Sequence, residues 1–151
     1  MDITEYLTES NIIIMQTGAT KDDLLKSLLD LLSQSGHILD PKKAMAEILE
    51  REDVMSTGIG LGLAFPHIKS EAVKKMGMAM AICKTPVLNF ESLDGQPVYF
   101  VILIATPAGE HRRYLEALAK TSQLLKSEKL RNSLQQASSS GEAYTWIQVS
   151  Q

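Results

Sequence analysis

The chain has 151 residues, 44% of them hydrophobic and 22% charged, with a formal charge of -3. That size and apolar content suit one domain, spanning 1-151, with a substantial core. The slightly acidic balance leaves no basic field to hold nucleic acid or an anionic membrane surface. A single cysteine, Cys83, excludes an internal disulfide framework; within its apolar run it reads as a small buried hydrophobe in a reducing compartment.

The N-terminus carries no basic stretch ahead of an apolar one, which argues against a secretory signal. Asn11 to Met15 is short and β-branched and predicts a strand, turned by Thr17 and Gly18. Thr20 with Asp23 forms a helix N-cap. Leu24, Leu25, Leu28, Leu29, Leu31 and Leu32 then recur at helical spacing as far as a stop at Gly36. Asp40 and Pro41 supply a second cap and first helical residue, and a stripe of Ala44, Met45, Ile48 and Leu49 ends just before Arg51. Arg51 is therefore expected at a helix end, facing the segment that follows.

That segment is rich in glycine and ends on a histidine behind a proline: Ser56, Thr57, Gly58, Ile59, Gly60, Leu61, Gly62, Leu63, Ala64, Phe65, Pro66, His67. Gly58, Gly60 and Gly62 permit positive φ and a close approach to an anion, and Pro66 stiffens the turn that presents His67. Imidazole can be a neutral nucleophile near pH 7 when its second nitrogen carries the proton, so covalent phosphorylation is chemically reasonable. Two commoner phosphate motifs do not fit. A P-loop needs Gly-Lys-Ser/Thr where Gly62 is followed by Leu63, and a dinucleotide fingerprint would place its third glycine one residue later. From these residues alone, an irregular connection ending on a surface histidine explains the pattern equally well.

Further on, Gly77 to Cys83 predicts a second strand, Leu93 to Gln96 a turn, and Val98 to Ala105 a strand buried on both faces, the two strands being neighbours. The last run is too short for a membrane helix, which needs roughly 20 residues. Thr106 to Gly109 breaks that strand. Leu115, Leu118, Ala119, Ser122 and Leu125 then describe the apolar face of a helix starting near His111. A shorter helix follows from Ser127, then a loop over Ala137 to Gly141, then a terminal helix from Glu142 with Tyr144, Trp146 and Ile147. Strands mixed with helices of this length predict an α/β domain, a central mixed sheet with helices on both sides.

Arg51, the run Ser56 to Gly60, Gly62, Ala64 and the Pro66-His67 pair, together with Gly109, Glu110, His111 and the helix from Tyr114 to Leu125, resemble the phosphotransferase-system (PTS) IIA domains of the fructose/mannitol type. The resemblance covers nearly the whole chain. It implies a single IIA domain of that fold, with His67 phosphorylated by the small histidine-containing phosphocarrier protein and delivering the phosphoryl group to a sugar-specific IIB domain. It also implies that Arg51 and His111 stabilise the phosphate, with Ser56, Thr57, Gly58, Gly60 and Gly62 as the loop around it. Two residues depart from the usual pattern: Phe65 replaces an aliphatic residue, and Ile68 replaces a small one and is expected to border the phosphate.

On this reading the protein is a cytoplasmic phosphotransferase component, with no cofactor, no metal, no nucleic-acid partner and no insertion in the membrane. Transfer proceeds by in-line attack of neutral His67 on an incoming phosphohistidine. A regulatory protein of the nitrogen-related IIA branch is the alternative. The Pro66-His67-Ile68-Lys69-Ser70 run resembles the fructose-type pattern more closely, with Lys69 as a lineage mark; in itself Lys69, like Lys74 and Lys75, reads as part of a solvated face. A third reading is an anion or metal binder without covalent chemistry, although the three histidines lack the close pairing of common zinc motifs. His37 matches no motif position.

Overall fold

The computed structural model describes residues 1–151. Short 3-10 turns at Ile3–Glu5 and Glu9–Asn11 lead into strand β1 (Ile12–Met15), followed by helices α1 (Lys21–Gln34) and α2 (Pro41–Val54). The glycine-rich segment forms three short strands, β2 (Gly58–Gly60), β3 (Leu63–Ala64) and β4 (His67–Ser70). Strands β5 (Gly77–Cys83) and β6 (Phe100–Pro107) complete a six-stranded sheet, and helices α3 (His111–Leu125), α4 (Glu128–Gln136) and α5 (Ser140–Ser150) end the chain.

The helix starts follow from capping chemistry. Thr20 Oγ1 accepts from the Asp23 N–H at 3.2 Å, and the Asp40 carboxylate accepts from the Lys43 N–H at 3.1 Å ahead of Pro41. Each side chain thereby satisfies an amide that the helix itself cannot. Ser127 and Ser139 cap α4 and α5 in the same way. Helix α3 alone has no side-chain cap, and its first residue is His111.

The sheet is mixed, in the order β1-β5-β6-β3-β2, with β4 also paired to β6. Strands β1 and β5 are parallel, β5 and β6 antiparallel, and β3 and β4 both run parallel to β6. The two faces of the central strands differ in size. Met78, Met80 and Ile82, with Phe100, Ile102 and Ile104, belong to a core shared with α3, α4 and α5. Ala79, Ala81 and Cys83, with Val101, Leu103 and Ala105, face the leucines of α1 and the apolar side of α2. Small side chains on that face let α1 lie close, and Leu24, Leu25, Leu28 and Leu32 are fully buried there. Each such burial contributes about 1.5–3 kcal/mol. Burial also pushes the Cys83 thiol up to about 11, which leaves it an inert part of this packing. No helix is long and apolar enough to cross a membrane.

Several boundaries differ from the sequence reading. Helix α2 runs on to Val54, past the stripe that ends before Arg51, and Arg51 lies in its last turn, at the helix end as expected. Strand β6 continues to Pro107 because β4 pairs along it as far as Ser70, opposite Pro107, and a proline can close a strand. The buried face of α3 is Tyr114, Ala117, Thr121 and Leu125, while Leu115 is 48% exposed. Aliphatic residues alone mark a face about one position away, because Tyr114 and Thr121 bury a ring and a methyl group that such a reading discounts. Helix α5 begins at Ser140, its cap being Ser139.

Candidate functional site

The position of His67 follows from how two short strands share one neighbour. Leu63 and Ala64 pair with Phe100 and Val101 of β6, and His67 pairs with Ile104. The register is therefore unbroken across Phe65 and Pro66. Pro66 has no N–H to give the ladder, but its carbonyl accepts from the Ile104 N–H at 3.0 Å. Beyond it the alternation of a strand sorts the side chains. Ile68 is buried on the α1/α2 side, and Ser70 Oγ donates to Glu47 of α2 at 3.0 Å. His67 faces the other way, its ring centroid 4.9 Å from that of Tyr114 in α3. Ile68 thus does not border the site as expected; it points through the sheet.

A cavity of about 340 Å³ opens at His67, with Arg51, Phe65 and Tyr114 in its walls. Met55 to Ile59 form one side, and Leu93, Leu118 and Ser122 complete the lining. Gly58 is required here by space. A Cβ on it would meet the Glu91 carbonyl oxygen at 2.2 Å. Its φ is not positive; Gly60 and Gly62, with φ of +100° and +77°, carry the tight turn between β2 and β3 and lie outside the cavity lining. The hydroxyls of Ser56 and Thr57 donate to the Glu91 carbonyl and to the Glu52 carboxylate. Both residues thereby hold the shape of the loop.

Arg51 donates from one guanidinium nitrogen to the Met55 carbonyl at 3.0 Å, which caps the end of α2 and leaves further donors of its fork uncommitted. His111 stands at the first position of α3, beside the positive end of that helix dipole. Tyr114 joins it to the cavity, its ring centroid 6.0 Å from that of His111. Three contributors were not legible as site residues in the sequence. Tyr114 stacks between the two histidines. Lys69 places Nζ 2.8 Å from His111 Nδ1 and 4.9 Å from the centroid of the Tyr114 ring. Glu52, its side chain 3% exposed, ties Lys21 of α1 to the backbone N–H and hydroxyl of Thr57. Two-residue spacing from His67 on one strand was the available signal for Lys69; nothing local marks Glu52.

The protonation of His67 follows from its surroundings. Burial lowers its pKa, as do the positive charges of Arg51 and Lys69, while the Phe65 carbonyl and Glu52 pull upward. The ring is therefore neutral at pH 7. Its Nδ1 lies 3.4 Å from the Phe65 carbonyl oxygen, which only accepts, so the proton is on Nδ1 and the lone pair on Nε2. Because the folded-state pKa lies below the unfolded value near 6.5, the unfolded chain binds more protons once the pH falls through that value. Resistance to denaturant is expected to be level above about pH 6.5 and to decline below it. His37, lowered by burial and by Lys75, acts in the same direction. His67→Gln should show a shallower decline than the wild type in chemical denaturation; equal slopes would mean that His67 is not held neutral by the fold.

Residues 5–149 match the family described as phosphoenolpyruvate-dependent sugar phosphotransferase system, EIIA 2. The chain belongs to this family. It is thus a phosphotransferase component, a IIA-type phosphoryl carrier. It is similar to the fructose-specific EIIABC component of Bacillus subtilis (strain 168), with 37% identity over 139 residues, 92% of this chain but only 22% of that protein. It is also similar to the fructose-specific EIIA component of Haloferax volcanii, with 32% identity over 142 residues and 92% of both chains covered. Among solved structures it resembles the nitrogen regulatory protein IIA-Ntr of Neisseria meningitidis, with TM-score 0.83, 28% identity, and 96% and 98% of the two chains covered.

Proposed function

We propose that His67 of this EIIA domain accepts a phosphoryl group on Nε2 from the histidine-containing phosphocarrier protein in the cytoplasm and passes it to a sugar-specific IIB domain. One observation carries the reading: a half-buried imidazole, held neutral with its proton on Nδ1, shares a cavity with an arginine that has donors to spare. The Nε2 lone pair attacks the phosphorus of the incoming phosphohistidine in line. The bond from phosphorus to the carrier's nitrogen breaks, that nitrogen keeps the electron pair, and the proton of His67 stays on Nδ1, facing the Phe65 carbonyl. Arg51 offers two parallel N–H groups to the equatorial oxygens, and His111 adds a further donor. Ser56, Thr57 and Gly58 border the phosphoryl group, with Gly60 and Gly62 shaping the loop behind them. The chemistry draws on no cofactor or metal.

The rim of the cavity supports a protein as the partner. Leu93 is 83% exposed, Met55 65% and Ile59 45%. Apolar side chains placed around a polar centre suit a docking surface better than a site for a free small anion. A IIB domain is the natural recipient, since the Bacillus relative carries A, B and C components under one name. The similarity to fructose-specific proteins and the Lys69-Ser70 pair after His67 favour sugar transport. The likeness to a nitrogen regulatory protein supports the second reading, control of other proteins by the phosphorylation state of His67.

The two readings part at the acceptor. Mixing the phosphorylated protein with IIB domains from the same cell is expected to strip the label from His67 rapidly. Phosphate that stays in place, with binding to unrelated proteins that depends on His67 phosphorylation, would overturn sugar transport in favour of regulation.

A further inference from the structure

The two histidines of the site have opposite partners at the same ring atom. At His67, Nδ1 lies against a carbonyl oxygen, which accepts and never donates. At His111, Nδ1 lies 2.8 Å from the Lys69 ammonium, which donates and never accepts. A hydrogen bond in each place demands opposite tautomers. His67 must carry its proton on Nδ1 and expose a lone pair at Nε2, whereas His111 must offer its Nδ1 lone pair to Lys69 and carry its proton on Nε2. The same side chain is thereby made a nucleophile in one position and a donor in the other.

We propose that Lys69 is a positioning residue for phosphoryl transfer, acting through His111 by locking that ring in the Nε2–H form. The proposal rests on His67 being the phosphorylated residue and adds a role to the lysine beside it. Three features hold the ammonium where it acts. Strand alternation puts Lys69 two residues from His67 on the same face of β4. Its stem crosses to α3, where the head sits over the face of the Tyr114 ring, 4.9 Å from the centroid. Tyr114 is buried and contacts both histidines, so the surface beneath the ammonium is fixed relative to both rings. An isolated neutral imidazole divides its proton between the two nitrogens. With Lys69 in place His111 presents an N–H at Nε2 before the phosphoryl group arrives, and no reorganisation of the donor is needed during transfer.

The tautomer is directly observable. In long-range proton–nitrogen correlation spectra of the unphosphorylated protein, His111 is expected to show the Nε2–H pattern, and in Lys69→Met a mixture of both tautomers. Lys69→Arg should preserve the pattern, because guanidinium is also a pure donor. Transfer from the phosphorylated carrier to His67 should slow about tenfold in Lys69→Met, by analogy with the lower end of what losing the partner that orients a metal-bound imidazole costs. In a His111→Ala background, Lys69→Met should cost nothing further, since the two residues act as one unit. A His111 ring already protonated on Nδ1 in the wild type, or unchanged in Lys69→Met, would overturn the proposal. So would an undiminished tenfold loss in the His111→Ala background, which would place Lys69 directly on the phosphoryl oxygens. If the tautomer responds as described while wild-type His67 takes up no phosphate, the phosphocarrier reading fails and the Lys69 effect on His111 stands apart from it.

Discussion

In His67→Gln, incubation with the phosphorylated carrier is expected to add no phosphate, whereas the wild type takes up one equivalent that is labile in acid and stable in base. Glutamine retains a donor and an acceptor and fills similar space, but its amide nitrogen has no lone pair able to attack phosphorus. The loss is therefore chemical, and the folded state should survive it. His111 cannot take over. It is exposed at the start of α3, its Nδ1 is committed to Lys69, and it lies outside the lining of the cavity in which Arg51 waits. His37 packs with its ring against Gly77, where an added Cβ would meet it at 2.4 Å, and its Nδ1 is bonded to Ser35 Oγ. Full labelling of His67→Gln would remove His67 from the centre of the mechanism.

Replacing Arg51 or His111 by alanine is expected to slow transfer about 10²–10³-fold while leaving the phosphate, once transferred, on His67. In the proposed mechanism both residues act on charge that spreads over the equatorial oxygens as the phosphoryl group moves, an interaction strongest in the transition state. Arg51→Lys should recover only part of the rate, because an ammonium is a point charge and lacks the planar fork. The structural cost of Arg51→Ala is small by comparison. Its one bond inside the protein, to the Met55 carbonyl, is on the surface. Denaturation midpoints close to the wild type would confirm that the rates report on transfer. Normal rates in both alanine variants would return the two residues to the solvated surface and leave His67 without its supporting groups.

Much of this architecture can be read along the chain because it rests on short-range chemistry. Thr20 and Asp23, Asp40 and Pro41, and the leucines of α1 place two helices through capping and periodicity, both of which are local. The apolar runs around Cys83 and Ile102 have no polar face, so they had to be central strands between two helical layers, and they are neighbours. The glycine-rich segment was harder. Its three strands are two to four residues long; β3 and β4 exist because β6 offers a partner along its length, an interaction over more than thirty residues of sequence, and β2 pairs in turn with β3. The misplaced face of α3 has a similar cause, since Tyr114 packs against the His67 ring and the Lys69 ammonium that β4 brings to it.

By itself the sequence determined the helices, the two central strands, and His67 as a histidine presented behind a proline, because capping, period and the restriction of Pro66 act between near neighbours. Only the tertiary structure decided what surrounds that histidine. Strand alternation after Pro66 sends Ile68 away from the site and Lys69 into it, and the packing of α3 on the sheet brings His111 and Tyr114 to the same edge. Glu52 and Lys21 tie the loop to α1 across the fold. These are contacts between side chains far apart in sequence, whose geometry is set by the summed packing of both layers. No local pattern encodes them.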